Sequence, residues 1–378
     1  MTMISAELFC DELEQRGFSL ASGVPCSFFG GPIALLSRTP GRYVPAANEG
    51  NALAVAVGAA LAGCRAYVML QNSGLGNLIN PLTSLVMTYR IPVLTFVSLR
   101  GQPDPADDEP QHAIMGPTTR PYLDMLGVPN WTLRAGDDEE RFRELLNTAI
   151  GSMSAGHAPF ICVEKGVVAR VTENHIDQDG RLDSGEAVRV IAKLAGDAPI
   201  IATTGYTGRE LFGIDDRPAN FYMQGSMGHA SSIALGVALA DLQRKVIVLD
   251  GDGAALMHLG ALSSIGFLNP PNLVHIVLDN GVHESTGSQA TTSATTRLDQ
   301  VAAGCGYRST RTCRTLPEVT EAVTAALTSP GPHMCVIPTR RRQNPLPPRA
   351  TSAHSPQSLR SRFTATLNNT TESASSEG

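Results

Sequence analysis

The 378-residue sequence has few aromatic residues, no closely paired cysteines and no long hydrophobic run. Aromatic residues make up 5% of the chain, and its seven cysteines form no Cys-x-x-Cys pair, which argues against a zinc ribbon, a dithiol motif or a disulfide framework. No segment has the apolar length of a membrane span, and the N-terminus lacks the pattern of a secretory signal. Lysine and arginine (29) do not exceed aspartate and glutamate (35), so no basic surface for nucleic acid or anionic membrane is indicated. We expect a cytoplasmic protein with neither kind of partner.

The body of the chain has the composition of globular α/β domains. Hydrophobic residues make up 42% of it, and 36 glycines and 25 prolines provide for many tight turns between short elements. Apolar, β-branched runs predict buried strands at Tyr67–Leu70, Pro92–Leu99, Phe160–Glu164, Lys245–Asp250 and Leu273–Leu278. Because helical segments alternate with these runs, we predict an α/β fold of two doubly wound, mostly parallel-sheet domains. No middle domain and no internal repeat are apparent.

Two changes in composition mark the predicted domain boundaries. Residues 171–182 are polar and aperiodic, and the chain beyond Arg340 is rich in Arg, Pro, Ser and Thr with few apolar residues. Such a tail buries too little apolar surface to offset its ordering entropy. We therefore predict an N-terminal domain over 1–170, a linker over 171–183, a C-terminal domain over 184–339 and a disordered tail over 340–378.

The segment V-I-V-L-D-G-D-G (residues 246–253) is a buried strand that ends in an acidic residue between two glycines. Glycines allow a phosphate to approach the backbone, and amides at the start of a following helix, predicted over Ala254–Phe267, can bind it. Asp252 offers a hard carboxylate for Mg²⁺. Taken alone, the motif is also compatible with an ordinary Asp-Gly turn. The candidate diphosphate-binding residues are Gly251, Asp252, Gly253 and Ala254.

A second strand ends in L-D-N-G-V-H, which places Asn280 after one helix and one strand from Asp252. A right-handed crossover returns Asn280 to the same edge of the sheet as Asp252. The amide oxygen of Asn280 and the carbonyl oxygen of Val282 then complete half of an octahedral oxygen site with the Asp252 carboxylate. The sequence thus predicts a Mg²⁺ site at this edge.

Two further residues, Glu49 and Met227, have ordinary structural explanations when each is considered alone. Glu49, in A-A-N-E-G-N-A-L-A, opens an Ala-rich helix, where an acidic residue is also favoured by the helix dipole alone. Met227, in G-S-M-G-H-A, is in isolation an ordinary core methionine.

The G-D-G motif followed about 27 residues later by Asn resembles the diphosphate and metal signature of thiamine-diphosphate enzymes. This resemblance implies that Met227 lies beneath the bent cofactor and that Glu49 hydrogen-bonds N1′ of the aminopyrimidine, which requires a buried carboxyl group with a raised pKa. It also implies thiamine diphosphate and Mg²⁺ as cofactors. Asp279 departs from larger relatives, which commonly carry Asn there, and adds negative charge near the metal.

Longer blocks narrow the resemblance, and they run in order from Ser22 to about Thr291: S-G-V-P-C-S-F-F, N-E-G-N-A, Q-N-S-G-L-G-N-L-I-N-P-L-T-S-L, D-E-P-Q-H, T-T-G-Y-T-G-R-E-L-F and G-S-M-G-H-A-S-S-I-A-L-G. These resemble the phosphonopyruvate decarboxylase family. The resemblance implies a carboxy-lyase that converts 3-phosphonopyruvate to phosphonoacetaldehyde and CO₂ in phosphonate or antibiotic biosynthesis. It further implies a homodimer or dimer of dimers with the cofactor at the subunit interface.

Residues of the first domain are candidates for contact with the substrate. His112 is our candidate for proton transfer or substrate binding, although a solvent-exposed loop histidine is the alternative. Ser27, Asn72 and Ser73 are candidate phosphonate ligands, with turn formation as an equal alternative. Asp108 is a candidate to bind the substrate or to position His112, with simple solvation of the loop as the alternative.

Three rival functions remain open at this point. Sulfopyruvate decarboxylases are closely similar, and a sulfonate needs donors like those of a phosphonate. A catalytically silent, cofactor-binding partner subunit is a second rival, against which Glu49, Asp252 and Asn280 speak. A nicotinamide-binding Rossmann enzyme is disfavoured because no G-x-G-x-x-G opens a helix after the first strand.

Overall fold

The computed structural model describes residues 3–171, 180–342 and 345–375. The chain divides into two compact units, Met1–His175 with Ser285–Ala290, and Ile176–Glu284 with Thr291–Gly378. The division falls within residues 171–183, which we predicted as a linker, and residues 172–179 of that segment lie outside the described part. Ser285–Ala290 groups with the first unit, although we had predicted it within the C-terminal domain.

The first unit is built on a six-stranded, fully parallel sheet with the order β2-β1-β3-β4-β6-β5. Its strands are β1 (Phe18–Gly23), β2 (Tyr43–Pro45), β3 (Arg65–Gln71), β4 (Leu94–Ser98), β5 (Asn130–Leu133) and β6 (Phe160–Val163). Its helices are α1 (Ala6–Gln15), α2 (Gly30–Ser37), α3 (Glu49–Leu61), α4 (Leu75–Pro81), α5 (Met115–Met125) and α6 (Glu139–Ser154).

Both faces of this sheet are buried, as a parallel sheet requires. One face packs on an aromatic cluster that includes Phe9, Phe96 and Phe142, and the other on an aliphatic cluster that includes Leu53 and Leu78. The continuous apolar run of β4, buried at every position, reflects this two-sided packing.

The second unit carries another six-stranded parallel sheet, with the order β11-β12-β10-β9-β7-β8. Its strands are β7 (Ile200–Ala202), β8 (Asn220–Tyr222), β9 (Val246–Gly251), β10 (Leu273–Asp279), β11 (Ser309–Thr312) and β12 (His333–Pro338). Its helices are α7 (Ser184–Ala195), α8 (Tyr206–Ile214), α9 (Ala230–Ala240), α10 (Asp252–Met257), α11 (Gly260–Leu268), α12 (Leu298–Gly304), α13 (Leu316–Thr328), α14 (Ala350–Ala353) and α15 (Pro356–Ser375). The two-residue strands Val282–His283 and Gln289–Ala290 lie outside the two main sheets.

The two sheets have the same connectivity. When the strands of each unit are numbered from its own first strand, both orders read 2-1-3-4-6-5 and every pairing is parallel. The sequence shows no repeat because the two sheets share hydrophobic strand patterns without sharing residues. The predicted fold class, two mostly parallel α/β domains without a middle domain, is confirmed for the described residues. No helix among those ranges has the length and apolar character to cross a membrane.

The predicted disordered tail is wrong for much of residues 340–378. α15 packs Leu359 and Phe363 into the second unit, where they are 2% and 7% exposed. Arg362 adds an ion pair with Asp216, and Arg244 donates to the carbonyl oxygen of Leu367. A few apolar residues at helical spacing therefore suffice to dock a mostly polar segment.

Two smaller predictions also need correction. The helix predicted over Ala254–Phe267 is two helices, α10 and α11, which are separated at His258. The end of the predicted linker belongs to the second unit, because Leu182 forms a parallel bridge with Thr339 and Asp183 caps α7.

The docking of α15 predicts a cost for removing its buried aromatic ring. Phe363→Ala should lower the free energy of unfolding of the second unit by about 3 kcal/mol, because it leaves a cavity in a packed cluster. Urea unfolding followed by circular dichroism measures this loss. Ser361→Ala, an exposed change on the same helix, should leave the unfolding curve within about 0.5 kcal/mol. Equal stability of both variants would contradict the docked helix.

Candidate cofactor and active site

Strand register brings Asp252 and Asn280 to one edge of the second sheet. β9 and β10 are parallel neighbours in which Gly251 lies opposite Leu278, so the next residues along each strand leave the sheet side by side. Asp252 is the first residue of α10, and Asn280 follows the end of β10 directly. The predicted pairing of these two residues thus follows from the topology.

The charge at this edge is concentrated and buried. Asp252 is 3% exposed, and burial together with the nearby Asp279 carboxylate raises its pKa to about 7. The Thr291 hydroxyl donates to Asp252 Oδ2 at 2.5 Å, and the Ser293 hydroxyl donates to Asp279 Oδ1 at 2.8 Å. The buried Asp252 carboxylate beside the half-buried Asp279 carboxylate forms an environment that suits a divalent cation.

The Asn280 side chain is held in a turn that orients its amide. The backbone N–H of Val282 donates to Asn280 Oδ1 at 3.0 Å, and Asn280 Nδ2 donates to Glu284 Oε2 at 3.1 Å. Gly281 permits the turn through its positive φ of 75°. Carboxylate, amide and backbone carbonyl oxygens at one edge are the donor set that a hard cation takes, so the residues present fit Mg²⁺.

The glycines of the G-D-G motif keep space around the start of α10. A Cβ at position 253 would lie 2.7 Å from Cε1 of His283, so only glycine fits there without displacing the imidazole. Gly251 and Ala254 flank the same helix start, where backbone N–H groups remain outside the helical pattern.

Met227 lies in the turn before α9, and this turn packs against α10. A Cβ at Gly228, whose φ is 88°, would lie 3.1 Å from the carbonyl oxygen of Ala254 and 2.6 Å from the His258 ring. The structure therefore brings the partly exposed Met227 near the helix that Asp252 begins. Its predicted contact with the cofactor stays a prediction.

In the first unit, Glu49 is the first residue of α3 and is 4% exposed. Asn48 caps this helix, since its side chain accepts from Asn51 N at 3.0 Å. Burial raises the pKa of Glu49, and a hydrogen bond from Asn77 Nδ2 to Glu49 Oε2, 2.8 Å long, opposes that shift. A side chain at Gly74 would collide with the carboxylate, so this glycine is required for the position of Glu49.

Asn72, Ser73 and Ser27 lie where the order of the first sheet reverses, beyond the ends of β3 and β1. Asn72 is fully buried, and its Nδ2 donates to the carbonyl oxygen of Arg100 at 2.9 Å and to Thr119 Oγ1 at 3.1 Å. The Asn72 amide therefore joins segments that are distant in the sequence, and its predicted contact with the phosphonate stays a prediction. Ser73 is exposed and accepts from Gln71 Nε2, and Ser27 is partly exposed.

Asp108 and Arg100 fix the loop that carries His112. The Arg100 guanidinium donates to both Asp108 oxygens, at 2.8 and 2.5 Å, and the same carboxylate accepts from Gly101 N and Glu109 N. The Arg100 guanidinium and the backbone donors keep the pKa of Asp108 well below its usual range, although burial alone would raise it. His112 is 3% exposed, so the alternative of a solvent-exposed histidine is wrong in this structure.

Comparison with known proteins gives this geometry its context. The family described as "Thiamine pyrophosphate enzyme, C-terminal TPP binding domain" matches residues 209–337, which include Met227, Asp252 and Asn280. The chain is 40% identical over 364 residues to a phosphonopyruvate decarboxylase of Streptomyces viridochromogenes, and the match covers 89% of each chain. This chain belongs to the phosphonopyruvate decarboxylase family.

Two further relatives are a second phosphonopyruvate decarboxylase and a sulfopyruvate decarboxylase. A phosphonopyruvate decarboxylase of Streptomyces hygroscopicus is 38% identical, over 89% of this chain and 88% of the relative. A sulfopyruvate decarboxylase of Methanosarcina acetivorans is 31% identical, over 82% of this chain and 84% of the relative. The match to this sulfopyruvate decarboxylase therefore also spans both units of the chain.

The sequence analysis missed several residues that contact the candidate site residues. It did not indicate that the Asn77 amide contacts Glu49 or that the Glu284 carboxylate contacts Asn280. It did not single out Thr291 or Ser293, although the hydroxyl-rich run T-T-S-A-T-T after the metal motif was a usable signal.

The burial of Glu49 predicts that the cofactor-free wild type and the variant Glu49→Gln differ in stability by an amount that depends on pH. A carboxyl group whose pKa is raised on folding binds protons more tightly in the native state, so stability falls as pH rises above the ordinary value of 4.5. Glu49→Gln removes this cost, and the variant should melt at a higher temperature than wild type at pH 8. The difference should shrink towards zero as pH falls to 4, as thermal unfolding at several pH values measures. A constant difference at all pH values would contradict it.

Proposed function

We propose that this chain catalyses the non-oxidative decarboxylation of 3-phosphonopyruvate to phosphonoacetaldehyde and CO₂, with thiamine diphosphate and Mg²⁺ as cofactors. The observation that carries the proposal is the combination of extended identity to phosphonopyruvate decarboxylases with a buried Glu49 and the Asp252–Asn280 pair. In this reaction the carboxylate carbon leaves as CO₂, and a proton takes its place on the remaining carbon. The proposed setting is phosphonate or antibiotic biosynthesis in the cytoplasm.

The proposed metal and diphosphate site uses residues of the second unit. Asp252, Asn280 and the carbonyl oxygen of Val282 would hold Mg²⁺, and Gly251, Gly253 and Ala254 would leave room for the diphosphate. Met227 would contact the cofactor rings. When bound, thiamine diphosphate supplies the electron sink that decarboxylation of a 2-keto acid requires.

Glu49 has the properties that the proposed proton transfer requires. Burial raises the pKa of its carboxyl group and so favours the protonated form, and Asn77 fixes the direction of one carboxyl oxygen. The proposed role is to exchange that proton with N1′ of the aminopyrimidine.

The loop of His112 provides the proposed substrate-facing groups. Arg100 and Asp108 hold this loop at its base, so the imidazole is kept at a defined place rather than in open solvent. His112 is the proposed donor of the proton that replaces CO₂, or a ligand of the substrate. Ser27 and Ser73, which lie at the reversal point of the first sheet, are proposed phosphonate ligands.

Sulfopyruvate is the second candidate substrate. The 31% identity to a sulfopyruvate decarboxylase over most of both chains is the observation that keeps it, and a sulfonate needs similar hydrogen-bond donors. The higher identity to two phosphonopyruvate decarboxylases favours phosphonopyruvate.

Decarboxylation by the purified protein tests the proposal. Release of CO₂ from phosphonopyruvate and from sulfopyruvate is measured with both cofactors, with each alone and with neither. We expect turnover of phosphonopyruvate only when both cofactors are present, and kcat/KM for sulfopyruvate at least tenfold lower. Binding of the cofactor without turnover of either acid would instead indicate a silent partner subunit.

A pair of glutamate variants makes this test specific. Glu49→Gln should lower kcat at least a hundredfold because it removes the proton-exchanging group. Glu139→Gln is the matched control, since Glu139 also opens a helix in the first unit but is exposed. Wild-type kcat in Glu49→Gln would contradict the assigned role.

The proposal includes a homodimer or a dimer of dimers, with the cofactor bound at the subunit interface. Two topologically equivalent helices support it, because α3 and α9 each connect the second and third strands of their unit. Each exposes small residues and a leucine at the spacing i, i+4 and i+7, namely Ala54, Gly58 and Leu61, and Ser232, Gly236 and Leu239. Small residues on a helix face allow close approach of another helix.

Arginine substitutions on these faces test the assembly. Beyond the local backbone of its own helix, no described atom lies within 4 Å of a Cβ built at Gly58 or at Gly236, so Gly58→Arg and Gly236→Arg should fold normally. We expect both to reduce the mass found by sedimentation equilibrium. Gly151→Arg on α6, where the surroundings are equally open, should leave the mass unchanged. An unchanged mass in all three variants would contradict these faces as interfaces.

A further inference from the structure

The segment that follows the last strand of the second sheet runs back along the Asn280 turn. Thr339 N donates to the carbonyl oxygen of Asp279 at 2.8 Å, and Arg340 N donates to the carbonyl oxygen of Leu182 at 2.9 Å. The arginine-rich start of the predicted disordered tail is therefore anchored beside the candidate metal ligands.

Glu284 joins this segment to Asn280 through its two carboxylate oxygens. Oε1 accepts from the backbone N–H of Arg342 at 2.7 Å, and Oε2 accepts from Asn280 Nδ2 at 3.1 Å. An ionised carboxylate only accepts hydrogen bonds, so the side of the Asn280 amide that faces Glu284 must be its NH₂ group. Asn280 Oδ1 is then directed away from Glu284, with one lone pair taken by Val282 N and the other left for a ligand.

Arg342 is held in turn by a buried ion pair. Its guanidinium contacts Glu210, which lies on α8, and the two side chains are 10% and 6% exposed. The Ser184 hydroxyl also hydrogen-bonds Glu210. Breaking one partner of such a pair leaves a buried charge without compensation, so the arrangement resists displacement.

We infer that Glu284 and Arg342 are positioning residues that orient Asn280 Oδ1 towards the cation of the diphosphate site. The inference rests on the Mg²⁺ site of the proposed function. Groups that hydrogen-bond a metal ligand fix its orientation, and their loss commonly weakens metal affinity about 10- to 100-fold.

The test measures the apparent Kd for Mg²⁺ at saturating thiamine diphosphate, by calorimetry on the full chain. Glu284→Gln replaces one acceptor with an amide donor, and we expect its Kd to rise at least about tenfold. Arg342→Gln should raise Kd by a smaller factor, because the backbone donor remains while its anchor is lost. Arg342→Lys, which keeps a cation for Glu210, should restore part of the affinity. Arg340→Gln is the matched control, because the ion pair given for the Arg340 guanidinium is with Asp183 and not with Glu210 or Glu284.

A wild-type Kd in Glu284→Gln, or an equal rise in Arg340→Gln, would overturn the inference. If circular dichroism shows that Glu284→Gln does not fold, the Kd values of the arginine variants decide instead. Arg342→Gln must then raise the Kd for Mg²⁺ more than Arg342→Lys and Arg340→Gln do, and equal Kd values in all three would overturn the inference. Absence of Mg²⁺ binding by the wild type would overturn the inference together with the metal site. Because Kd needs no substrate, a failure of phosphonopyruvate turnover with the expected Kd values would reject only the proposed reaction.

Discussion

The pairing of β9 with β10 is the constraint on which the second unit's site depends. It places Gly251 opposite Leu278, so that Asp252 and the Asp279–Asn280 pair leave the sheet at the same edge. A shift of one residue would turn the alternate side chains of these buried strands to the opposite face. The apolar packing of both strands therefore fixes where the polar residues at their ends lie. The Thr291 and Ser293 hydroxyls and the Glu284 turn are arranged around that pair.

The two units share one strand order but carry different polar residues beyond the ends of their strands. The shared order 2-1-3-4-6-5 creates a reversal point in each sheet, beyond the ends of the first and third strands. In the second unit the third strand leads into Asp252, whereas in the first unit it leads into Asn72 and Ser73. The helix before that third strand carries Glu49 at its start in the first unit. A single arrangement of strands thus presents a buried aspartate, Asp252, beyond the third strand of one unit and a buried glutamate, Glu49, at the start of a helix in the other.

The sequence was sufficient to predict the interior strands β3, β4, β6, β9 and β10, because continuous apolar runs are local signals, whereas it did not predict the edge strands β2, β5, β8 and β11. The G-D-G motif is likewise a local signal. The sequence also led to Glu49, although its burial depends on Gly74 and Asn77, which are distant in sequence. The prediction of disorder for the tail was wrong because two buried apolar residues, Leu359 and Phe363, are too few to stand out in its composition. Both pack into apolar clusters formed by the rest of the second unit. The contacts of Arg342 with Glu210 and Glu284 join three separate segments, and no local pattern marks them.

The place of β12 in its sheet has a consequence for how the chain is synthesised. β12 is the last strand to leave the ribosome, yet it lies between β10 and β11 in the interior of the sheet. Until residue 338 emerges, one edge of β10 lacks its partner, and an unpaired apolar edge readily recruits other chains. The first unit's sheet is already complete at Val163. Nascent chains that stall between these two points would therefore carry a finished first sheet and an aggregation-prone second one.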